Sequence, residues 1–136
     1  MKTIKMVSMS LFLGLLLMFS AKVRAQDPVK VAPNIYKRVV LENDKVRVME
    51  VEIAPNDTVP WHSHPDHFIY ALTDGKLEIT AKGAAPAVSE VKAGDAMFIE
   101  ATTHMARNIG GTTVKLLVTE LKNSKKMMPH KAKKTM

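Results

Sequence analysis

Apolar and polar residues alternate with a period of two over much of the segment 36–121. In KLEITA, Leu77, Ile79 and Ala81 share one face and polar residues share the other. In KVRVMEVEI the alternation breaks once, at Met49, which we interpret as a β-bulge. Because successive side chains of a strand point to opposite faces, both segments predict strands that bury one face.

Further short apolar runs, bounded by turn-forming residues, fill the rest of this segment. They are YKRVVLE, FIYAL, AVSEV, AMFIEA, MARNI and VKLLVTEL. Beyond the N-terminal stretch, no window shows a sustained helical period. About eight short strands predict an all-β, single-domain fold, a sandwich or a jelly-roll barrel whose interior would supply a pocket.

The N-terminal residues 1–25 follow a different pattern. Two lysines precede an uncharged, mostly apolar stretch from Met6 to Ala21, and Val-Arg-Ala follows, ending at Ala25. This order is typical of a secretory signal peptide cleaved after Ala25. A membrane anchor is the alternative, but the stretch contains Ser8, Ser10 and Gly14 and is shorter than the roughly 20 residues that a bilayer core needs. We therefore predict export, to a periplasm or out of the cell.

Removal of the signal leaves 111 of the 136 residues, the size of one compact domain. We predict an N-terminal arm and first strand at 26–43, the barrel at 44–121, and a disordered tail at 122–136. The chain has no cysteine, which excludes a disulfide framework and thiol chemistry.

Charge is distributed unevenly along the chain. The net charge of +7 falls to about +3 when the four basic residues of the signal are removed. Residues 26–121 carry ten basic and thirteen acidic side chains, whereas 122–136 carry six lysines and no acid. A mildly acidic domain argues against nucleic-acid binding. The basic tail is expected to contact anionic surfaces weakly.

Three of the five histidines lie close together in WHSHPDHFIY. His62 and His64 are separated by one residue, so an extended strand places both imidazoles on one face. Two imidazoles at this spacing can bind one divalent ion without strain in the backbone. The same pattern is compatible with a proton relay or with a polar surface pair.

Two blocks of the sequence, NDTVPWHSHPDHFIYALTDG and GDAMFIEATTHMARN, resemble the two signature blocks of the cupin superfamily, which are small barrels of jelly-roll type. The spacing of the first, Gx5HxHx3Ex6G, is matched by Asn56, His62, His64, Phe68 and Gly75. The spacing of the second, Gx5PxGx1-2Hx3N, is matched by Gly94, Glu100, Thr102, His104 and Asn108. The resemblance implies a cupin barrel in which His62, His64 and His104 hold a divalent ion, with Fe, Mn, Ni and Zn as candidates.

The main departure from these blocks is Phe68, which stands at the position of the glutamate ligand. A site of three neutral histidines leaves the ion with its full charge and at least one open position. Cupins of this kind include dioxygenases that act on thiol acids or β-diketones. The resemblance therefore implies dioxygenase-like or isomerase/lyase-like chemistry on a small organic molecule. The alternative is a non-catalytic module or accessory subunit that binds a small ligand or a metal.

Other residues are candidates for the pocket or for the metal. His67 is interpreted as an additional ligand, as a base beside the ligands, or as a surface residue; no other catalytic residue is assigned. Phe68, Tyr70 and Asn108 are expected near the pocket, and Glu100 is a candidate replacement for the missing carboxylate. The substitution of Asn56 for glycine is expected to be benign, because Asn tolerates a left-handed turn.

The resemblance also implies a homodimer, because cupin barrels often pair an exposed sheet edge with a second copy. The segment QDPVKVAPNIYKR precedes the blocks, and its apolar Val29, Val31 and Ile35 suggest an arm that makes this contact.

Overall fold

The computed structural model describes residues 26–122, which form one short helix and nine strands. The elements are α1 (Pro28–Val31), β1 (Tyr36–Glu42), β2 (Val46–Ile53), β3 (Thr58–His64), β4 (His67–Ala71), β5 (Gly75–Ala81), β6 (Ala87–Val91), β7 (Ala96–Ile99), β8 (Thr102–Asn108) and β9 (Val114–Leu121). The predicted signal peptide and nearly all of the predicted tail lie outside these residues. Within them, no helix is long and apolar enough to cross a membrane.

The strands form two antiparallel sheets. One has the order β1-β2-β9-β4-β7 and the other β3-β8-β5-β6. Alternate residues of both sheets point inward and form one core, as the period of two predicts. Its fully buried side chains include Met49, Val51, Val59 and Val114. The all-β prediction is confirmed.

The predicted bulge at Met49 was assigned to the wrong strand. β2 pairs with β9 residue for residue along its whole length. The register shifts lie between β1 and β2, one of them between Val39 and Leu41 of β1. At Met49 the buried face of β2 changes instead: Met49, Val51 and Ile53 point into the core, and the residues before them are half-buried.

The N-terminal segment folds back onto the domain. The Gln26 carbonyl accepts a hydrogen bond from the Ser63 amide of β3, at 2.9 Å. Ile35 is buried in the core, and Val29 and Val31 pack against it. The apolar residues expected to reach a second copy are therefore engaged within their own chain, and the homodimer stays a prediction without them.

The residue type is limited at two positions, by the backbone conformation at one and by a close contact at the other. Asn56 has φ 69°, the left-handed conformation expected where the cupin block has glycine. Gly75 opens β5 with its Cα against the side chain of the buried Val114, and a Cβ at Gly75 would collide with that side chain.

Replacement of Gly75 by alanine is expected to lower the free energy of unfolding by about 1–3 kcal/mol, because an added methyl overpacks the contact with Val114. Urea unfolding of the purified protein measures the change. Gly111→Ala is the matched control, since a Cβ there meets no atom within 4 Å. Equal losses in the two variants would contradict the prediction.

Candidate metal site

The three histidines that the sequence singles out lie in adjacent strands. His62 and His64 are on β3, and His62 is directly opposite His104 of β8. The two β3 histidines point to the same, inner face because one residue separates them. All three side chains are buried, and their ligand nitrogens lie within 4.8 Å of one another. We call His62, His64 and His104 the histidine cluster.

Two members of the cluster have their proton fixed on Nδ1. Nδ1 of His62 lies 2.6 Å from the Pro60 carbonyl oxygen, and Nδ1 of His64 lies 2.6 Å from Oε1 of Glu120. Carbonyl and carboxylate oxygens only accept hydrogen bonds, so both Nδ1 atoms donate. The nitrogen that each ring can offer to a metal ion is therefore Nε2, which faces the interior.

Nε2 of His104 lies 2.9 Å from Nε2 of His62. Two nitrogens bound to one tetrahedral ion at the usual bond length are about 3.3 Å apart. The observed distance is within a few tenths of an ångström of that value. His62 and His104 can therefore bind a single divalent ion with little movement of their side chains, and the ligand nitrogen of His64 lies within 4.8 Å of theirs.

His67 is a fourth buried histidine beside the cluster. It has no exposed surface, and its ring centroid lies 4.6 Å from that of His64. Its Nδ1 lies 2.8 Å from the Pro65 carbonyl oxygen and donates to it. Within residues 26–122, its Nε2 is the one buried side-chain nitrogen or oxygen without a hydrogen-bond partner. Such an atom costs free energy unless a ligand occupies it, so the surface interpretation of His67 is excluded.

The same local geometry holds His62 and His67. Each is the third residue of a Pro-x-His tripeptide, and each donates from Nδ1 to the carbonyl of that proline. In both cases the bond joins residues two positions apart, and in the folded strands it keeps a proton on Nδ1 of each ring. Nε2 is then the acceptor or ligand atom of both rings.

The alternation of β4 decides which side chain takes the inner position. His67 and Ala71 are buried, whereas Phe68 and Tyr70 are each 45% exposed. Phe68 packs on the outer face against Phe98, with ring centroids 5.2 Å apart. The expectation that Phe68 and Tyr70 lie near the pocket was wrong. A two-residue turn separates His64 from His67, so the inward position falls one residue earlier than the spacing of the cupin block.

Asn108 and Glu100 also lie away from the cluster. Asn108 is buried, but its Nδ2 donates to the carbonyl oxygens of Ile53 and Thr112, both at 2.8 Å. Its Oδ1 accepts from the Gly110 amide. The side chain therefore fixes a turn instead of lining the pocket, and the exposed Glu100 does not replace the missing carboxylate.

Glu120 is a site residue that the sequence reasoning missed. Its Oε1 accepts from His64, and its Oε2 accepts from Nε of Arg47 at 2.8 Å. Arg47 also forms an ion pair with Asp27, 3.1 Å away. Burial raises the pKa of Glu120, but the hydrogen bond from His64 and the charge of Arg47 outweigh it, so the pKa lies below its usual value. A charged carboxylate therefore accepts the hydrogen bond from Nδ1 of His64 and orients the ring.

Tyr36 is the second residue that was missed. Its hydroxyl oxygen lies 3.4 Å from Nε2 of His62 and 3.2 Å from Nε2 of His64. Burial, and then the charge of Glu120, raise the pKa of Tyr36 well above its usual value. The hydroxyl therefore keeps its proton and faces the cluster as a donor.

Signals for these two residues differ in the sequence. The sequence does contain a signal for Glu120, because the period of two along VKLLVTEL places it on the same face as Leu116 and Val118. A carboxylate on an apolar face predicts a buried polar partner. The sequence contains no such signal for Tyr36, since the register shifts of β1 interrupt the alternation of inward and outward side chains there.

The histidines and Tyr36 line a cavity of about 50 Å³ between the two sheets. Its other lining side chains are apolar: Val51, Val59, Ile69, Leu77, Ile79, Ala106, Leu116 and Val118. Burial, reinforced by the neighbouring imidazoles, lowers the pKa of His62 to about 4 and that of His104 to about 3. Both rings are therefore neutral at physiological pH, the form that binds metal.

The metal-free protein is expected to lose stability as the pH falls below about 6.5. In that range the unfolded chain binds protons that the folded His62 and His104 do not, so the free energy of unfolding decreases. We expect a loss of about 3 kcal/mol between pH 7 and pH 5, measured by urea unfolding in the presence of a chelator. A His130→Ala variant should show the same pH dependence, and a free energy that is constant over this interval would contradict the assignment.

Comparisons with known proteins agree with this architecture. A family model described as the cupin domain matches residues 49–120. A cupin domain from Bordetella pertussis Tohama I has 24% identity and a TM-score of 0.60, over 63% of this chain and 91% of that one. A cupin superfamily protein from Desulfitobacterium hafniense DCB-2 has 17% identity and a TM-score of 0.51, over 63% of this chain and 75% of that one.

The polyketide cyclase RemF from Streptomyces resistomycificus has 28% identity and a TM-score of 0.50, over 63% of each chain. A search of curated protein sequences finds no match. The family model covers more than half of the 136 residues, and the solved structures share the jelly-roll arrangement of two antiparallel sheets. This chain belongs to the cupin family.

Proposed function

We propose that this chain is an exported cupin that binds one divalent metal ion through His62, His64 and His104, with His67 as a further nitrogen donor. The observation that carries the proposal is the direction of the lone pairs. Three imidazoles have their Nδ1 bound to a carbonyl or carboxylate oxygen and turn Nε2 toward one small cavity. The orphaned Nε2 of His67 supports a fourth donor.

The donor set favours a transition metal or zinc. Imidazole nitrogens suit Fe, Ni, Cu and Zn, whereas Mg²⁺ and Ca²⁺ require oxygen ligands. Within residues 26–122 no carboxylate lines the cavity, so a set of imidazole donors leaves the ion with its full charge. When bound, such an ion supplies Lewis acidity and a place to orient an anionic or enolisable molecule.

The residues around the ion would perform three further tasks. Glu120 fixes the tautomer and orientation of His64 and adds negative charge behind it. Val59, Leu77 and their apolar neighbours exclude bulk water from the cavity, which strengthens electrostatic interactions within it. Tyr36 contributes the one hydroxyl group among the side chains that line the cavity.

The size of the cavity favours a very small molecule. Pockets for drug-sized ligands usually have roughly 300–1,000 Å³, far more than the cavity of about 50 Å³ here. The similarity to RemF therefore gives no support for a polyketide substrate in this conformation. Dioxygenase-like or isomerase/lyase-like chemistry on a small organic molecule remains the proposal, and a non-catalytic module that binds metal or ligand is the alternative.

Export is proposed from the pattern of the first 25 residues alone. The absence of cysteine is compatible with it, because no disulfide is needed where the core and a bound ion stabilise the domain.

Protein purified without a polyhistidine tag is expected to contain about one equivalent of transition metal, measured by inductively coupled plasma mass spectrometry. The His62→Ala/His104→Ala double variant should lose it, because too few donors remain. His67→Ala should bind more weakly, and His130→Ala, which removes the one histidine outside this group, should match the parent. Equal metal in the parent and the double variant would refute the site.

The same samples separate an enzyme from a binding module. Oxygen consumption by the metal-loaded parent is measured across a panel of thiols, β-diketones and phenols. Turnover that is absent from the double variant supports the dioxygenase-like proposal. Bound metal without turnover favours the alternative.

Replacement of Glu120 by glutamine is expected to weaken metal binding about ten-fold, because His64 loses the charged acceptor on Nδ1. Competition with a chromophoric chelator measures the dissociation constant. Glu50→Gln is the matched control, since Glu50 lies on the neighbouring strand β2 and pairs with Arg38 on the exposed face. Similar dissociation constants for the two variants would contradict the role of Glu120.

A further inference from the structure

Tyr36 reaches the histidine cluster from a part of the chain that the cupin family model does not cover. The model begins at residue 49, whereas Tyr36 is the first residue of β1. Its side chain is 6% exposed and lines the cavity. The chain has one other tyrosine, Tyr70, which lies on the outer face of β4. The two residues therefore have the same chemistry in opposite environments.

The hydrogen bonds of Tyr36 are incompatible with a metal-loaded cluster. Its hydroxyl has one proton and lies near two acceptors, Nε2 of His62 and Nε2 of His64. The same two lone pairs would bind the ion. Once they are occupied, the hydroxyl has no acceptor on either ring.

The other side chains of the cavity cannot replace these acceptors. The four histidines are the proposed donors to the ion, and the remaining side chains of residues 26–122 that line the cavity beside Tyr36 are aliphatic. A buried hydroxyl without a partner destabilises the state that contains it. The cavity of the loaded protein therefore requires an occupant that accepts a hydrogen bond from Tyr36.

We propose that Tyr36 donates a hydrogen bond to a small anion held beside the metal ion, and that small anions with oxygen or nitrogen acceptors are the ligand class of this cavity. The inference rests on the proposed metal binding. A cavity of about 50 Å³ has room for about three to five water-sized groups, so the ion leaves space for an anion of two or three heavy atoms. Tyr36 is thus a positioning residue that selects an anionic acceptor over a neutral ligand.

Azide is the probe that tests this inference, because it is a triatomic anion that also changes the visible spectrum of cobalt. The protein is loaded with Co²⁺, its cobalt content is measured, and azide is titrated while absorbance is recorded. Tyr36→Phe should retain cobalt and bind azide about ten-fold more weakly, the effect of one lost hydrogen bond to a charged group. Tyr70→Phe is the matched control and should bind azide like the parent.

A second measurement does not require the Tyr36 variant to fold. Protein labelled with 3-fluorotyrosine and loaded with zinc should give two ¹⁹F resonances, one for each tyrosine, and the Tyr70→Phe variant assigns them. Azide should shift the Tyr36 resonance and leave that of Tyr70 unchanged.

The outcomes separate this inference from the proposed function. A parent that binds neither Co²⁺ nor Zn²⁺ overturns both. A parent that binds Co²⁺ while Tyr36→Phe binds azide equally well overturns the role of Tyr36 alone, as does an unshifted Tyr36 resonance. Loss of cobalt from a folded Tyr36→Phe variant overturns it as well, because the phenol would then be a ligand of the ion.

Discussion

Burial of four imidazoles around one small apolar cavity is the constraint on which the rest of this structure depends. Each ring has two nitrogens, and each nitrogen needs a donor or an acceptor once water is removed. Pro60, Pro65 and Glu120 satisfy the Nδ1 atoms of three rings. What remains is a set of inward Nε2 atoms, and desolvation lowers the pKa values of His62, His67 and His104. Such a set of nitrogens favours the binding of one shared metal cation over the protonation of several rings.

A series of charged contacts links the N-terminal segment to this site. Asp27 pairs with Arg47, Arg47 pairs with Glu120, and Glu120 holds His64. Three charged groups thus compensate one another at the edge of the core, and each is costly to bury alone. The residues immediately after the predicted cleavage position therefore contribute to the orientation of His64. The domain of this chain extends beyond the part that the family model matches.

The site and the fold differed in how well the sequence predicted them. Strand positions, the inward pair of β3 and its approach to His104 follow from period-two alternation and from the spacing of the cupin blocks. The same spacing misplaced Phe68, because a turn of two residues shifted the inner face of β4 to His67. It also misplaced Tyr70, which shares the outer face, and Asn108, whose amide satisfies a turn. For Phe68 and Tyr70, one residue of register decided that the side chain lies outside the cavity. Asn108 is on the buried face of β8 with His104, but backbone groups use its amide.

The sequence by itself determined what short-range geometry controls. Two histidines one residue apart share a strand face, and this spacing predicted the inward pair His62 and His64. The structure adds that Nδ1 of His62 and of His67 donates to a proline carbonyl two residues earlier. Only the tertiary structure decided that Tyr36 and Glu120 belong to the site, since they are 28 and 56 positions from His64 in the chain. The positions of these two side chains beside the histidine cluster depend on the register shifts of β1 and on the pairing of β9 with β4, which no local pattern specifies. The physical reason is that hydrogen bonds between distant strands, and not the residues nearby in sequence, set those distances.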